Sequence, residues 1–231
     1  MDRGIVYPGQ VPLETDVLFL YRSVMAAFAK LSAVTIGTGG ILNNCPCVPG
    51  AGLSVSMGPG EVYQSANIDD TIFGSMPLDI AHQIVKQGIL LDATTLSVPA
   101  PGTVGQSIAY LIQCKFLEVD GSLVSLPYYN SATPTVPFSG PNGAGTSQPT
   151  RRAGTLVVNL KIGTPATTGS QVTPSVDAGY IGAWIVTIAN GATIVTTANI
   201  LSFGTSNFVG ADLLTQVRTQ RRAQRYFFGQ F

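Results

Sequence analysis

The sequence is poor in charged residues and in histidine. Asp, Glu, Lys and Arg make up 10% of the 231 residues, and His82 is the one histidine. Enzymes that use metal or nucleophilic chemistry usually cluster such side chains, and the glycine-rich stretches lack phosphate-binding spacing. We therefore predict that the protein is not an enzyme and that it holds no cofactor and no metal. The alternative for a hard cation is the acidic group Asp69, Asp70 and Asp79, which lacks EF-hand spacing.

Net charge is also absent, with twelve acidic and twelve basic residues. A neutral chain has no overall field that attracts nucleic acid or an anionic membrane. A surface with few charges also gives copies of the chain little mutual repulsion, which favours assembly.

Cysteines are few and odd in number. Cys45 and Cys47 are too close for an easy mutual disulfide, and Cys114 lies in a predicted strand, so we expect free thiols in a reducing compartment. We also expect no membrane span and no export signal, because no apolar run approaches the roughly 20 residues that a span needs and the N-terminus lacks a basic and then hydrophobic pattern. The expected site of synthesis is a host cytoplasm.

What is present begins with an arm and a helix. Pro8, Gly9 and Pro12 predict an extended arm, and Thr15 is the predicted cap of the helix that follows. Apolar residues then recur at alternating spacings of four and three, the pattern of a heptad seam. We interpret this seam either as packing on its own domain or as an assembly helix around a symmetry axis. Its residues are Val17, Tyr21, Val24, Phe28 and Leu31.

The residue pattern in the middle of the chain predicts strands and turns, with no alternation of strands and helices. This pattern predicts a mainly β fold, an antiparallel β-sandwich or barrel-like domain with an N-terminal and a C-terminal α-helix. Asp120-Gly121 is a predicted hairpin turn. The predicted segments are the arm and assembly helix at 1–40, the first part of the β domain at 41–130, a long surface loop at 131–150, the second part at 151–205 and a docking helix at 206–231.

The C-terminal segment is rich in arginine and aromatic residues. At about 100° per residue its arginines share one helical face. We interpret this segment as a docking helix for a neighbouring subunit; a solvated face and contact with nucleic-acid phosphates are the alternatives. The predicted docking residues are Arg218, Arg221, Arg222, Arg225, Tyr226, Phe227, Phe228 and Phe231.

A series of short motifs resembles a family of bacteriophage tail proteins, described as tail fibre or baseplate-associated. The series covers about residues 1–200 and appears in the family's order. It comprises Ile5-Val6-Tyr7-Pro8-Gly9, Pro12-Leu13-Glu14-Thr15-Asp16, Gly58-Pro59-Gly60, Ile84 to Ile89, Gly105 to Ile108 with Tyr110 to Ile112, Leu126 to Asn130, Ser139-Gly140-Pro141, Lys161 with Gly163 to Ala166, and Thr173-Pro174 with Asp177 to Tyr180.

The resemblance implies a structural protein of the virion, located in the phage tail and assembled as a homotrimer with other tail proteins as partners. Because the chain ends soon after Ile200, we expect a fibre base, connector or baseplate component. The less favoured alternative is a receptor-binding module, in which the loop at 131–150 and the neighbouring Tyr128 and Tyr129 contact the host surface. Nucleic acid is the least favoured partner.

Overall fold

One long helix precedes a mainly β body in the computed structural model, which describes residues 3–204 and 207–209. The helix α1 spans Glu14–Ile36. It begins one residue before the predicted cap Thr15, and the side chain of Asp16 accepts a hydrogen bond from the N–H of Leu13 at 2.9 Å. Gly37 ends the helix with a positive φ of 83°, a conformation that glycine adopts without steric penalty.

Thirteen strands follow within the described residues. They are β1 (Ile41–Asn44), β2 (Cys47–Pro49), β3 (Ser54–Met57), β4 (Gly60–Asp69), β5 (Asp79–Leu90), β6 (Thr94–Ser97), β7 (Gln106–Val124), β8 (Pro127–Tyr128), β9 (Phe138–Ser139), β10 (Gln148–Ile162), β11 (Ala166–Thr167), β12 (Ile181–Ala189) and β13 (Ile200–Ser202). The prediction of a mainly β protein with an N-terminal helix is confirmed. The predicted C-terminal helix lies outside the described residues.

The main sheet is mixed, so the prediction of a purely antiparallel sheet is wrong. Its strand order is β1-β4-β5-β10-β7-β12-β13, with β11 also paired to β7. All neighbours are antiparallel except β5 and β10, which run parallel and pair at Ile89 and Thr155. Glycine permits this approach: a Cβ on Gly88 would lie 2.4 Å from the carbonyl oxygen of Thr155, and one on Gly154 would lie 2.5 Å from that of Gln87.

The sheet curls until its two ends meet. The N–H of Val209 donates to the carbonyl of Leu42 on β1 at 2.7 Å, and the ring of Phe208 lies 5.3 Å from that of Trp184 on β12. Strands from both predicted parts of the β domain therefore belong to this one sheet. A second sheet, β2-β3-β6, contributes Val55 and Met57 to the same buried core.

Two predictions about the middle of the chain are wrong. Asp120 and Gly121 form no hairpin turn, because β7 continues through them in register with β10 and the Asp120 carboxylate pairs with Arg152 across the strands. The segment 131–150 is not one loop, since it contains β9, a 3-10 turn at Pro141–Gly143 and the first residues of β10.

Candidate assembly surface

The helix α1 lies on the sheet through a narrow face. Leu18 packs near Gly74, Met25 and Ala29 face strands β5 and β7, and Ala29 is the one buried residue of the helix. Isolated helices are marginal in water, so most helices are held by a broad apolar contact with the rest of the fold. Here that contact is small, and every residue of α1 except Ala29 is exposed or only half-buried.

An ion-pair network supplies the second anchor of α1. Arg22 donates to Asp69 at the end of β4 at 2.5 Å and to the carbonyl of Pro77 at 2.8 Å. Asp69 is 3% exposed and also pairs with Arg152 of β10 at 3.3 Å. Arg152 in turn donates to Asp120 at 2.6 and 2.8 Å, and these hydrogen bonds hold the pKa of Asp120 below its usual range. The helix is thereby joined to three strands.

The predicted assembly seam faces solvent. The exposed fractions of Tyr21, Phe28 and Leu31 are 66%, 66% and 60%, and those of Val17 and Val24 are both 49%. The first interpretation of the seam, packing on its own domain, is therefore wrong for this chain by itself. Five large apolar side chains in one stripe form an exposed patch of the kind that marks a protein or membrane contact.

The arm before α1 adds to this exposed apolar surface. Ile5, Val6 and Tyr7 are 72%, 60% and 67% exposed, and Gly4 lies against the side chain of Leu20. The arm thus turns back along the helix instead of packing into the β body.

A cleft opens between α1 and the sheet, directly beside the seam. Its volume is about 530 Å³, within the usual range of about 300–1,000 Å³ for ligand pockets. Phe28 belongs both to the seam and to the wall of this cleft. Lys86 lines the sheet side, where its ammonium pairs with Glu118 at 2.7 Å and donates to the carbonyl of Ile68 at 2.7 Å. The apolar part of the lining consists of Met25, Phe28, Ala29, Val85 and Phe116.

The other residues considered from the sequence are placed apart from the helix seam. His82 is exposed and pairs with Asp79 at 3.0 Å. Both carboxylate oxygens of Asp69 contact arginines, which leaves no free acidic cluster with Asp70 and Asp79. Within residues 3–204 and 207–209, no group of three or more His, Cys, Asp or Glu has the geometry to hold a metal.

The three cysteines are free thiols. Burial raises the pKa of Cys45 to about 12 and that of Cys47 to about 11, and it also raises the pKa of Cys114. Because the thiolate is the reactive form, these protonated thiols are poor nucleophiles at neutral pH.

The predicted docking residues at the C-terminus, Arg218 to Phe231, lie outside the described residues. The ion pair of Arg22 with Asp69, which positions the seam, was not predicted from the sequence. No local pattern marks it, because the two residues are 47 positions apart in the chain.

By length and composition alone, α1 is apolar enough to cross a membrane, and it is the one helix among the described residues that meets this criterion. The expectation that no apolar run reaches the necessary length is wrong on that criterion. Signal sequences and core helices of soluble proteins meet it too.

The fold is thus a curled mixed sheet with one N-terminal helix that presents an apolar seam. No protein-family model, curated protein or solved structure matches this chain.

Proposed function

We propose that the protein is a non-enzymatic structural component of a phage tail that assembles with copies of itself as a trimer through α1. The observation that carries the assembly part is the exposed heptad seam. Its spacing of four and three is that of helices which pack together by knobs into holes. A helix with this spacing and no partner leaves apolar surface in water, and a second copy supplies an identical seam.

The anchoring of α1 supports the same proposal. Arg22 and Asp69 fix the helix on the sheet so that the seam is turned outward in a defined direction. A surface held in place before binding loses less conformational entropy when it binds. The low content of charged residues adds to this support, because it removes repulsion between the copies.

The tail setting is supported by the ordered motifs that resemble phage tail proteins. We further propose that the arginine and aromatic residues from Arg218 to Phe231 bind a neighbouring tail protein. The combined role is that of a fibre base, connector or baseplate component in the virion. Mass spectrometry of purified virions tests this setting: the chain is expected in intact particles, and its absence from them would contradict the proposal.

A double substitution in the seam tests assembly through α1. Tyr21→Asp with Phe28→Asp places two charges in the predicted interface, and we expect the molecular mass in sedimentation to fall from that of three chains to that of one. Lys30→Asp is the matched control, because Lys30 lies on the opposite, exposed side of the helix. A wild-type chain that sediments as a monomer at micromolar concentration contradicts the proposal.

A receptor-binding role is a second candidate, favoured by the hairpin of β8 and β9. Tyr129 at its end is 77% exposed, and Asn130 braces the turn by accepting from the N–H groups of Ala132 and Thr133 at 3.1 and 3.2 Å. A braced loop with an exposed aromatic side chain suits recognition of a partner surface. Specific adsorption of the isolated protein to host cells, lost in Tyr129→Ser, would establish this role; no adsorption would remove it.

A further inference from the structure

We infer that the cleft between α1 and the sheet is filled by the helix of a second copy, so that each α1 lies between its neighbour's helix and its neighbour's sheet. This inference rests on the proposed function, because it requires the copies to assemble through the seam. It adds a second contact surface, located on the β body, which the seam alone does not predict.

Helix geometry defines two columns of residues that flank the seam. In the heptad set by the seam, Tyr21 and Phe28 are a positions, and Val17, Val24 and Leu31 are d positions. The g column on one flank and the e column on the other each repeat every seven residues. The g column is Leu20, Ala27 and Val34, and the e column is Leu18, Met25 and Ser32.

The two columns have different surroundings. Met25 and Ser32 of the e column line the cleft, together with Phe28 of the seam. Leu20 and Val34 of the g column are 47% and 86% exposed. One flank of the helix therefore borders an open cleft with apolar and ion-paired walls, and the other flank is an apolar ridge.

In parallel coiled coils, the g position of one helix contacts the e position of the next. These positions are often charged, and a Glu and Lys there would set the pairing by charge. Here the g column is uncharged, so its entry into the cleft costs no desolvation of a charged side chain, and its apolar side chains can contact Met25, Val85 and Phe116. The ridge of one copy then fills the cleft of the next.

The charges inside the cleft are consistent with an uncharged occupant. Lys86 is 5% exposed and is paired with Glu118, and Arg152 is paired with Asp69 and Asp120. These ion pairs leave no free charge on the sheet side that would demand a charged ligand. Tyr63 and Gln87 at the rim already bond to each other at 2.8 Å.

Ridge and cleft are different surfaces, so this contact joins unlike faces of identical chains. In a two-fold dimer the same two flanks meet twice, and in a ring of three they meet once at each interface. The contact is therefore compatible with the proposed trimer of parallel helices, and the number of copies is set by the measured mass.

A pair of cysteines tests the contact directly. In the double variant Ala27→Cys and Ser32→Cys, the two residues are about 140° apart around one helix and cannot join within a chain. Between neighbouring copies they face each other, and we expect oxidation to give covalent dimers and trimers on a denaturing gel. Each single variant, and the wild type with its three native thiols, is expected to remain monomeric on the same gel.

A cavity-filling variant gives an independent readout. Ser32→Trp fills the cleft from its own chain, and we expect at least a tenfold rise in the concentration at which the trimer dissociates, with the circular dichroism spectrum unchanged. Lys30→Trp adds the same side chain outside the cleft and is expected to leave the dissociation concentration unchanged.

The outcomes separate this inference from the proposed function. A trimer that forms without the cross-link between positions 27 and 32, and is unaffected by Ser32→Trp, overturns the cleft contact and leaves assembly through the seam intact. Cross-linking by Ala27→Cys alone indicates that like flanks meet, and it overturns the contact as well. A wild-type chain that stays monomeric overturns both.

Discussion

The guanidinium of Arg22 lies 2.5 Å from the carboxylate of Asp69, and this contact ties the single helix to the end of strand β4. Asp69 is nearly inaccessible to solvent and is shared with Arg152. One buried carboxylate thus holds two cations from different elements. The direction in which the apolar seam faces depends on this residue.

Replacing Asp69 by Ala is expected to lower the free energy of unfolding by about 3–5 kcal/mol, because it leaves Arg22 partly buried without a counter-charge and removes one of the two carboxylates that Arg152 contacts. Urea denaturation measures the change. Asp70→Ala is the matched control: Asp70 is exposed and bonds to Asn67, so its loss is expected to change stability by less than about 1 kcal/mol. Equal effects of the two substitutions would contradict the anchoring role of Asp69.

The parallel pairing of β5 and β10 depends on glycine. Gly88→Ala is expected to destabilise the fold by about 1–3 kcal/mol or more, because its Cβ would lie 2.4 Å from a backbone oxygen that cannot move alone. Gly121→Ala is the control, since nothing lies within 4 Å of a Cβ there. Thermal unfolding compares the two, and a fully stable Gly88→Ala protein would show that the strands are not so close.

The raised pKa of a buried thiol makes the free energy of unfolding depend on pH in the alkaline range. The pKa of Cys45 is about 12 in the folded chain, above the unfolded value of about 8.5, so the folded state binds a proton that the unfolded state has released. Its contribution is complete below about pH 8.5 and is lost as pH rises toward 12.

Cys45→Ala is therefore expected to make the fall in stability between pH 9 and pH 11 shallower, by at most about 1.4 kcal/mol per pH unit. Urea denaturation across this range gives the slope, and the wild type is the reference. The substitution also removes a buried side chain, which lowers stability by a similar amount at every pH. An unchanged slope would mean that the Cys45 thiolate is as stable in the folded state as in water.

The exposed face of α1 has one competing partner, a lipid bilayer. We expect the purified chain to remain in solution when mixed with neutral lipid vesicles, because the proposed assembly would cover the seam with other copies. Flotation of the vesicles measures binding, with Tyr21→Asp and Phe28→Asp as the comparison. Flotation of the wild type, lost in this double variant, would indicate that the seam contacts lipid.

The helix and its seam could be predicted because the spacing from Val17 to Leu31 is a local pattern. The face of the helix that packs on the sheet could not be predicted. Arg22 has the character of a solvent-exposed residue until the fold places Asp69, 47 positions later, beside it. The same reason explains Asp120-Gly121, whose turn signal is overridden by Arg152 on the neighbouring strand. The parallel pairing at Gly88 and Gly154 could not be predicted either, because it joins residues that are far apart in the sequence. Each glycine by itself indicates only a turn or a bulge.

The most direct test of assembly through α1 is the molecular mass of the purified chain in solution, measured for residues 1–231 and for a chain that ends at residue 210. We expect a trimer in both, because the seam and the cleft lie within the part that is kept. A trimer that becomes a monomer on truncation would assign assembly to the C-terminal segment, and a monomer in both would rule out assembly through α1.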